Sequence, residues 1–243
     1  MIRQQYQRVA EQVAQAAVKA GRDPSEVQLM AVSKTKPVEL ILEAMAGGAV
    51  LFGENRVQEL SEKRPQFSTP QMQAFAGAPG FTPKASVEFH MIGHLQTNKA
   101  AKAVQHADMI QSVDSVRIAR EISRACVAQE KTMPVLLEVN IGREAAKFGF
   151  LPEQVDEALG EIARLPGVFV RGLMTIPPFL DDKTQIRQFF SQMHKLFIDI
   201  RGKKMDNISM DMLSMGMSDD FEEAIAEGST LVRVGSAIFG SRY

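Results

Sequence analysis

The chain alternates between short apolar runs and longer amphipathic ones, and it does so eight times. The apolar runs fall at residues 27–33, 49–53, 87–93, 109–114, 134–140, 168–175, 208–214 and 231–236. Helical periodicity marks the segments between them, at 38–46, 55–63, 96–106, 115–130, 152–165, 182–201 and 218–227. Short continuous apolar runs separated by helices read as strands buried on both faces, the mark of a parallel sheet. Eight such strands is the number that closes a barrel. A doubly wound open sheet has the same local pattern, but its G-x-G-x-x-G fingerprint does not follow the first run. The expected fold is therefore α/β, a single (β/α)8 TIM barrel formed by residues 1–243 as one domain. Val9, Val13 and Val18 recur ahead of the first strand, with alanines between them, in a pattern that ends at Gly21. They predict an extra N-terminal helix packed on the outside or bottom of the barrel.

Composition narrows the function classes. Of 243 residues, 45% are hydrophobic, enough to bury a full core. The formal net charge is -1, from 28 basic and 29 acidic residues, which gives no electrostatic reason to expect nucleic acid or an anionic membrane. No apolar run approaches the roughly 18 residues of a membrane span. The N-terminus interleaves charges with apolar residues, unlike a signal peptide, so a cytoplasmic protein is expected. The single cysteine excludes an intrachain disulfide, and Cys126 follows Ile118 and Ile122 at helical spacing, as a small buried residue would. Fourteen methionines read as core filler. Residues 65–83 carry four prolines and two glycines and read as a long irregular loop, either a surface insertion or a lid.

In a barrel, chemistry collects where strands run out into the following loops. Those positions hold Lys34, Glu54 and Asn55, His90 and Gly93, Asn140, the Ser214-Met215-Gly216 turn, and Arg233 with Gly235 and Ser236. Lys34 ends an apolar strand and shares a face with Met30 and Val32, so partial desolvation would make Schiff-base chemistry accessible. A lysine snorkelling to water is the plainer reading, and Lys36 competes on the same grounds. In the last strand, alternation puts Arg233 on the same face as Leu231 and Gly235, pointing into the barrel. A charge there needs an anionic or hydrogen-bonding partner, either an internal acid such as Glu138 or a ligand. Loops after strands seven and eight commonly hold phosphate. The amides around Gly216 and Gly235 are expected to serve it better than Ser218, whose neighbours Asp219 and Asp220 would repel an anion. Tight turns alone would also explain both glycines. His90 and His94 do not share a helical face, and no metal site is expected from them.

Several of these segments resemble one family. Ala31-Val32-Ser33-Lys34-Thr35-Lys36-Pro37, Phe52-Gly53-Glu54-Asn55 and the stretch from His90 to Lys99 are similar to the YggS/PROSC family of pyridoxal phosphate homeostasis proteins. So are Leu213-Ser214-Met215-Gly216-Met217-Ser218-Asp219-Asp220 and the stretch from Val232 to Gly240. The resemblance runs from about residue 5 to the end, and several of its motifs are eight or more residues long. It implies a barrel like the N-terminal domain of alanine racemase, with pyridoxal 5′-phosphate (PLP) held as an internal aldimine on Lys34. It further implies that Arg233 faces the pyridine nitrogen, and that Asn55 lies near the ring. Phosphate contacts would come from Ser214, Gly216, Gly235 and Ser236. The implied role is PLP supply, buffering or delivery, with PLP-dependent apoenzymes as partners and a monomeric state, rather than an established reaction.

Three alternatives remain at this stage. A PLP-dependent amino-acid racemase of this fold uses a tyrosine opposite the lysine, with a second domain helping to supply it. Here only Tyr6 and Tyr243 occur, one near each end, and no chain follows residue 243 to build that domain. An aldolase would form its Schiff base on Lys34 directly with substrate. A purely structural role is weakened by the inward arginine and by the glycines flanking the phosphate positions.

Overall fold

The computed structural model describes residues 1–67, 87–203 and 205–240. Within them the eight apolar runs form eight parallel strands that close into a barrel in sequence order. They are β1 Gln28–Val32, β2 Leu51–Glu54, β3 Glu88–Met91 and β4 Met109–Val113, then β5 Met133–Glu138, β6 Val168–Met174, β7 Ile208–Ser214 and β8 Leu231–Val234. Closure is made by β8 against β1, with Leu231 opposite Gln28 and Arg233 opposite Met30.

The double burial inferred from continuous apolar runs has a simple origin. Met30, Val32, Leu51, Ile92, Met109, Leu136, Met174, Met212 and Leu231 fill the barrel's interior. The alternate positions, such as Ala31, Phe52, Ile110, Leu137 and Val232, face the helices in a second and larger core. Both faces of each strand are thus apolar, with polar residues admitted where strands end or where a side chain inside has a partner. Methionines at 210, 212 and 215 are buried as expected, whereas Met217 is partly exposed at the barrel's rim.

The helices of the outer layer are α1 Ile2–Lys19, α2 Val38–Ala46, α3 Val57–Lys63, α4 Ala100–His106 and α5 Val116–Ala128. They continue as α6 Val155–Ile162, α7 Lys183–Arg201, α8 Phe221–Ala226 and α9 Ser236–Phe239. The last of these is only four residues long. The N-terminal helix α1 packs on α2, α8 and α9, so it lies on the outside of the barrel and covers the seam beside β1. Its buried stripe is Ile2, Tyr6, Val9, Val13 and Ala16-Ala17. Val18 falls off that stripe and is 63% exposed, because a step of four from Val13 reaches Ala17 instead.

Among the helix starts that differ from expectation, two matter for the site. α3 begins at Val57 and leaves Asn55 in the loop. α8 begins at Phe221 because Asp220 turns back to accept the Met217 N–H at 2.6 Å, so Ser218 and Asp219 stay at the strand end. Cys126 is buried on the same face of α5 as Ile118 and Ile122. Of the expected loop at 65–83, residues 65–67 form a 3-10 turn in which Phe67 packs on Phe89, and the rest lies outside the described residues. Among the described residues no helix is long and apolar enough to cross a membrane.

Candidate functional site

A cavity of about 470 Å³ opens at the C-terminal ends of the strands. It is the size of a small-molecule site. Lys34, Asn55, Arg233, Gly235 and Ser236 all line it, together with Lys36, His94, Glu138 and Ser218.

The deepest group is Arg233, which is 4% exposed. Alternation in β8 turns it into the barrel between Leu231 and Gly235. It donates to Ser214 Oγ at 2.6 Å and to the Thr175 carbonyl at 2.8 Å. Both acceptors are neutral, and among the described residues no carboxylate forms an ion pair with it. Burial pulls its pKa down to about 10, against the attraction of Glu138 and Asp220. Five N–H donors on one guanidinium leave capacity beyond those two bonds. Glu138, the internal acid expected as an alternative partner, lines the same cavity without pairing directly. Burial first, and then the charge of Asp114, push its pKa up to about 7.

Lys34 stands at the opposite side of the β8–β1 seam, half-buried in the turn after β1. That turn is clamped from below. Ser33 Oγ donates to Glu54 Oε1 at 2.6 Å. Lys63 Nζ, reaching in from α3, donates to the same oxygen at 2.9 Å, to the Ser33 carbonyl at 2.9 Å and to Glu59 Oε2 at 3.0 Å. Glu59 in turn accepts the Thr35 N–H at 2.6 Å, which holds Thr35 at φ 64°. Glu54 is fully buried, and desolvation raises its pKa in spite of Ser33 and Lys63. Lys36 is also half-buried and lines the cavity, its Nζ on the Phe239 carbonyl at 3.1 Å. Lys63 was not among the residues the sequence singled out, since a lysine four residues after Glu59 is the ordinary pattern of an exposed helical pair.

Ser218 was also missed as a contributor. Its Oγ accepts from the Gly235 N–H at 3.3 Å and the Ala237 N–H at 3.4 Å. A hydroxyl and amides of the chain after β8 therefore meet at one side of the cavity. Ser214 and Gly216, expected at the phosphate, do not line the cavity. Ser214 is fully buried and engaged with Arg233 and Gln111. Gly216 sits at φ 96°, where an added Cβ would lie 2.6 Å from that of Ala224, and its carbonyl receives the Arg233 backbone N–H at 2.9 Å. The expectation placed Ser218 on the end of a helix; with that helix starting at Phe221, the hydroxyl is free to turn toward the amides.

The remaining wall comes from β3 to β5. Gly93 lets the β3 end press on the Asn55 backbone, since an added Cβ would sit 2.3 Å from the Asn55 carbonyl oxygen. His94 bonds Asp114 through Nδ1 at 2.7 Å and stacks on Phe148 with ring centroids 3.6 Å apart. Asn140 bonds Glu144 with both ends of its amide and so ties down the loop that carries Phe148. His90 points elsewhere, into the barrel against Gln111. Tyr6 is buried in α1 near Gly48, outside the cavity lining, and desolvation pushes its pKa up to about 12. Tyr243 lies outside the described residues.

Two measurements follow from these contacts. Lys63→Met leaves Glu54 buried without its cation and should destabilise the fold by about 3–5 kcal/mol, read by denaturant unfolding at neutral pH. Adding Glu54→Gln should recover most of that loss; no recovery would mean the pair is not the source. Glu138 holds its proton up to about pH 7 when folded, against 4.5 ordinarily. The folded state then binds the extra proton between these values, so stability falls as pH rises through that window. Glu138→Gln should match the wild type below about pH 4.5 and exceed it above about pH 7 by on the order of 2 kcal/mol.

Comparison with known proteins assigns the family. The family described as the alanine racemase N-terminal domain matches residues 5–243. The pyridoxal phosphate homeostasis protein of Pasteurella multocida is 38% identical over 241 residues, covering 99% of this chain and 97% of that one. The protein of the same name from Escherichia coli K12 is 39% identical over 234 residues, with 96% and 94% covered. Among solved structures, PipY of Synechococcus elongatus with PLP bound has a TM-score of 0.74 at 34% identity, covering 94% of this chain and all of that one. Alanine racemase of Clostridium difficile matches in fold alone, with a TM-score of 0.67 at 14% identity over 96% of this chain and 56% of that one. The chain belongs to the pyridoxal phosphate homeostasis family, built on the alanine racemase N-terminal barrel.

Proposed function

We propose that this chain is a cytoplasmic PLP carrier that holds the cofactor as a Schiff base on Lys34 and buffers it or delivers it to PLP-dependent apoenzymes. In this reading residues 1–243 form one PLP-binding domain that works as a monomer. The observation that carries it is Arg233, a buried cation inside the cavity whose direct partners are neutral. Such a group needs an acceptor, and an unprotonated pyridine nitrogen supplies one.

The other residues fit the same ligand. The Gly235 and Ala237 amides with the Ser218 and Ser236 hydroxyls are suited to a phosphate, and Ser218 rather than Ser214 is the hydroxyl beside it. Gly216 and Ser214 serve from behind, one shaping the turn and the other holding Arg233. Asn55 borders the ring. When bound, PLP supplies an aldehyde that condenses with amines and a ring that accepts electrons. Lys34 must give up a proton before its amine attacks, and it stands half-buried at the cavity wall, within reach of a bound aldehyde. Arg233 keeps its own proton and so disfavours protonation of the ring nitrogen, which weakens the ring as an electron sink. The cofactor is gripped and left unreactive.

The test is borohydride reduction of the protein after incubation with PLP, with peptide mapping of the phosphopyridoxyl group. The label should fall on Lys34, and Lys34→Ala should lose both the label and the associated absorption band. A wild-type protein that takes no label in excess PLP would overturn the reading.

A further inference from the structure

A single line of hydrogen bonds crosses the barrel beneath the cavity. Arg233 donates to Ser214 Oγ at 2.6 Å, the Ser214 hydroxyl donates to Gln111 Oε1 at 2.7 Å, and Gln111 Nε2 meets His90 Nδ1 at 2.8 Å. These side chains come from β8, β7, β4 and β3, and each is between 0 and 4% exposed. The direction of the line follows from chemistry. A guanidinium only donates, so Ser214 accepts from it and has its proton left for the Gln111 carbonyl oxygen. The Gln111 amide nitrogen only donates, so His90 Nδ1 accepts and the ring proton sits on Nε2. That Nε2 has no hydrogen-bond partner among the described residues, and Glu88 Oε2 lies 3.4 Å away at the opposite mouth of the barrel.

Stability does not account for this line. Around it the barrel interior is packed with methionine, leucine, isoleucine and valine. Replacing a satisfied polar pair there by apolar residues of the same shape is near neutral or favourable. Orientation does account for it, because Ser214 and the Thr175 carbonyl hold one guanidinium nitrogen each, and Gln111 fixes which way the Ser214 proton points.

We propose that Gln111 is a positioning residue: through Ser214, and steadied by His90, it aims the remaining Arg233 donors at an acceptor nitrogen in the ring of the bound ligand. The line thereby selects a phosphorylated aromatic heterocycle whose ring nitrogen carries no proton. This rests on the PLP reading above and assigns a specificity determinant to it.

The test compares PLP with its 1-deaza analogue, which keeps the aldehyde and phosphate but has carbon in place of the ring nitrogen. Dissociation constants and absorption spectra are measured for the wild type, Gln111→Leu, Ser214→Ala and Ser214→Thr, with thermal unfolding of the ligand-free proteins as a check of the fold. Gln111→Leu and Ser214→Ala should weaken PLP about tenfold and shift its absorption band, while changing affinity for the deaza analogue less than about twofold. Ser214→Thr keeps the hydroxyl and should retain the wild-type preference. Equal losses for both ligands, or unchanged PLP binding and spectrum, would overturn the proposal. Should Gln111→Leu fail to fold, the two Ser214 variants carry the same comparison. A wild type that binds neither ligand would instead sink the PLP reading itself.

Discussion

A guanidinium inside a barrel has to be met by something, and the geometry around β8 follows from how Arg233 is met. An uncompensated charge in such a place costs several kcal/mol, roughly, and a carboxylate partner would be the usual remedy. Here the partners are dipoles: the Ser214 hydroxyl at the end of β7 and the Thr175 carbonyl just past β6. They converge because β6, β7 and β8 are consecutive, with Met174 opposite Ser214 and Ser214 opposite Leu231. The turn through Gly216 takes the backbone N–H of the same arginine. Neutral acceptors leave the positive charge unspent, which reserves it for whatever enters the cavity.

Barrel closure then places the rest. Because β8 pairs with β1 in register Met30 to Arg233, the ends of these two strands stand side by side. Lys34 and the Gly235-Ser236 amides therefore reach the cavity from neighbouring positions, and a Cβ on Gly235 would touch Val32 at 3.4 Å. The lysine's turn is not left to find its own conformation. Lys63 locks it from below through a buried ion pair with Glu54 and a part-buried one with Glu59, which in turn accepts the Thr35 N–H. That cluster is costly to desolvate and suits preorganisation of an anchor rather than bulk stability.

The strands were readable because double burial makes them apolar throughout, and all eight lie within the runs marked in the sequence or extend one residue beyond. Arg233 was readable by alternation within β8. The losses have equally specific causes. Ser218 was hidden because Asp219 and Asp220 look like a helix's first turn, whereas Asp220 closes a loop on Met217 instead. Lys63 carries no signal, because nothing in a seven-residue helix announces that its last turn faces a buried carboxylate. Gln111 gave no signal at all. One glutamine in an apolar strand acquires meaning only when strands β3, β4, β7 and β8 are brought around it, its bonded partner Ser214 lying 103 residues away in sequence. Ser214 was seen, yet its partner could not be, so its hydroxyl was assigned to the phosphate at the rim instead of the arginine below.

On the proposed reading, one residue both secures the cofactor and mutes it. A PLP enzyme that stabilises a carbanion strongly gains from a protonated ring nitrogen, which makes the ring a better electron sink. Arg233 works against that state, because a permanent cation at hydrogen-bond range opposes a second positive charge on the ring. The tyrosine that a racemase of this fold would use is not replaced by Tyr6, which is buried in α1 away from the cavity. On the walls from β3 to β5 the cavity is bordered by Glu138 and by His94, which is bonded to Asp114 behind it. A site that binds the ring nitrogen with a fixed cation, and holds its lysine in a locked turn, is organised for retention. For a carrier that must hold a reactive aldehyde without consuming amino acids, damping the ring is part of the function.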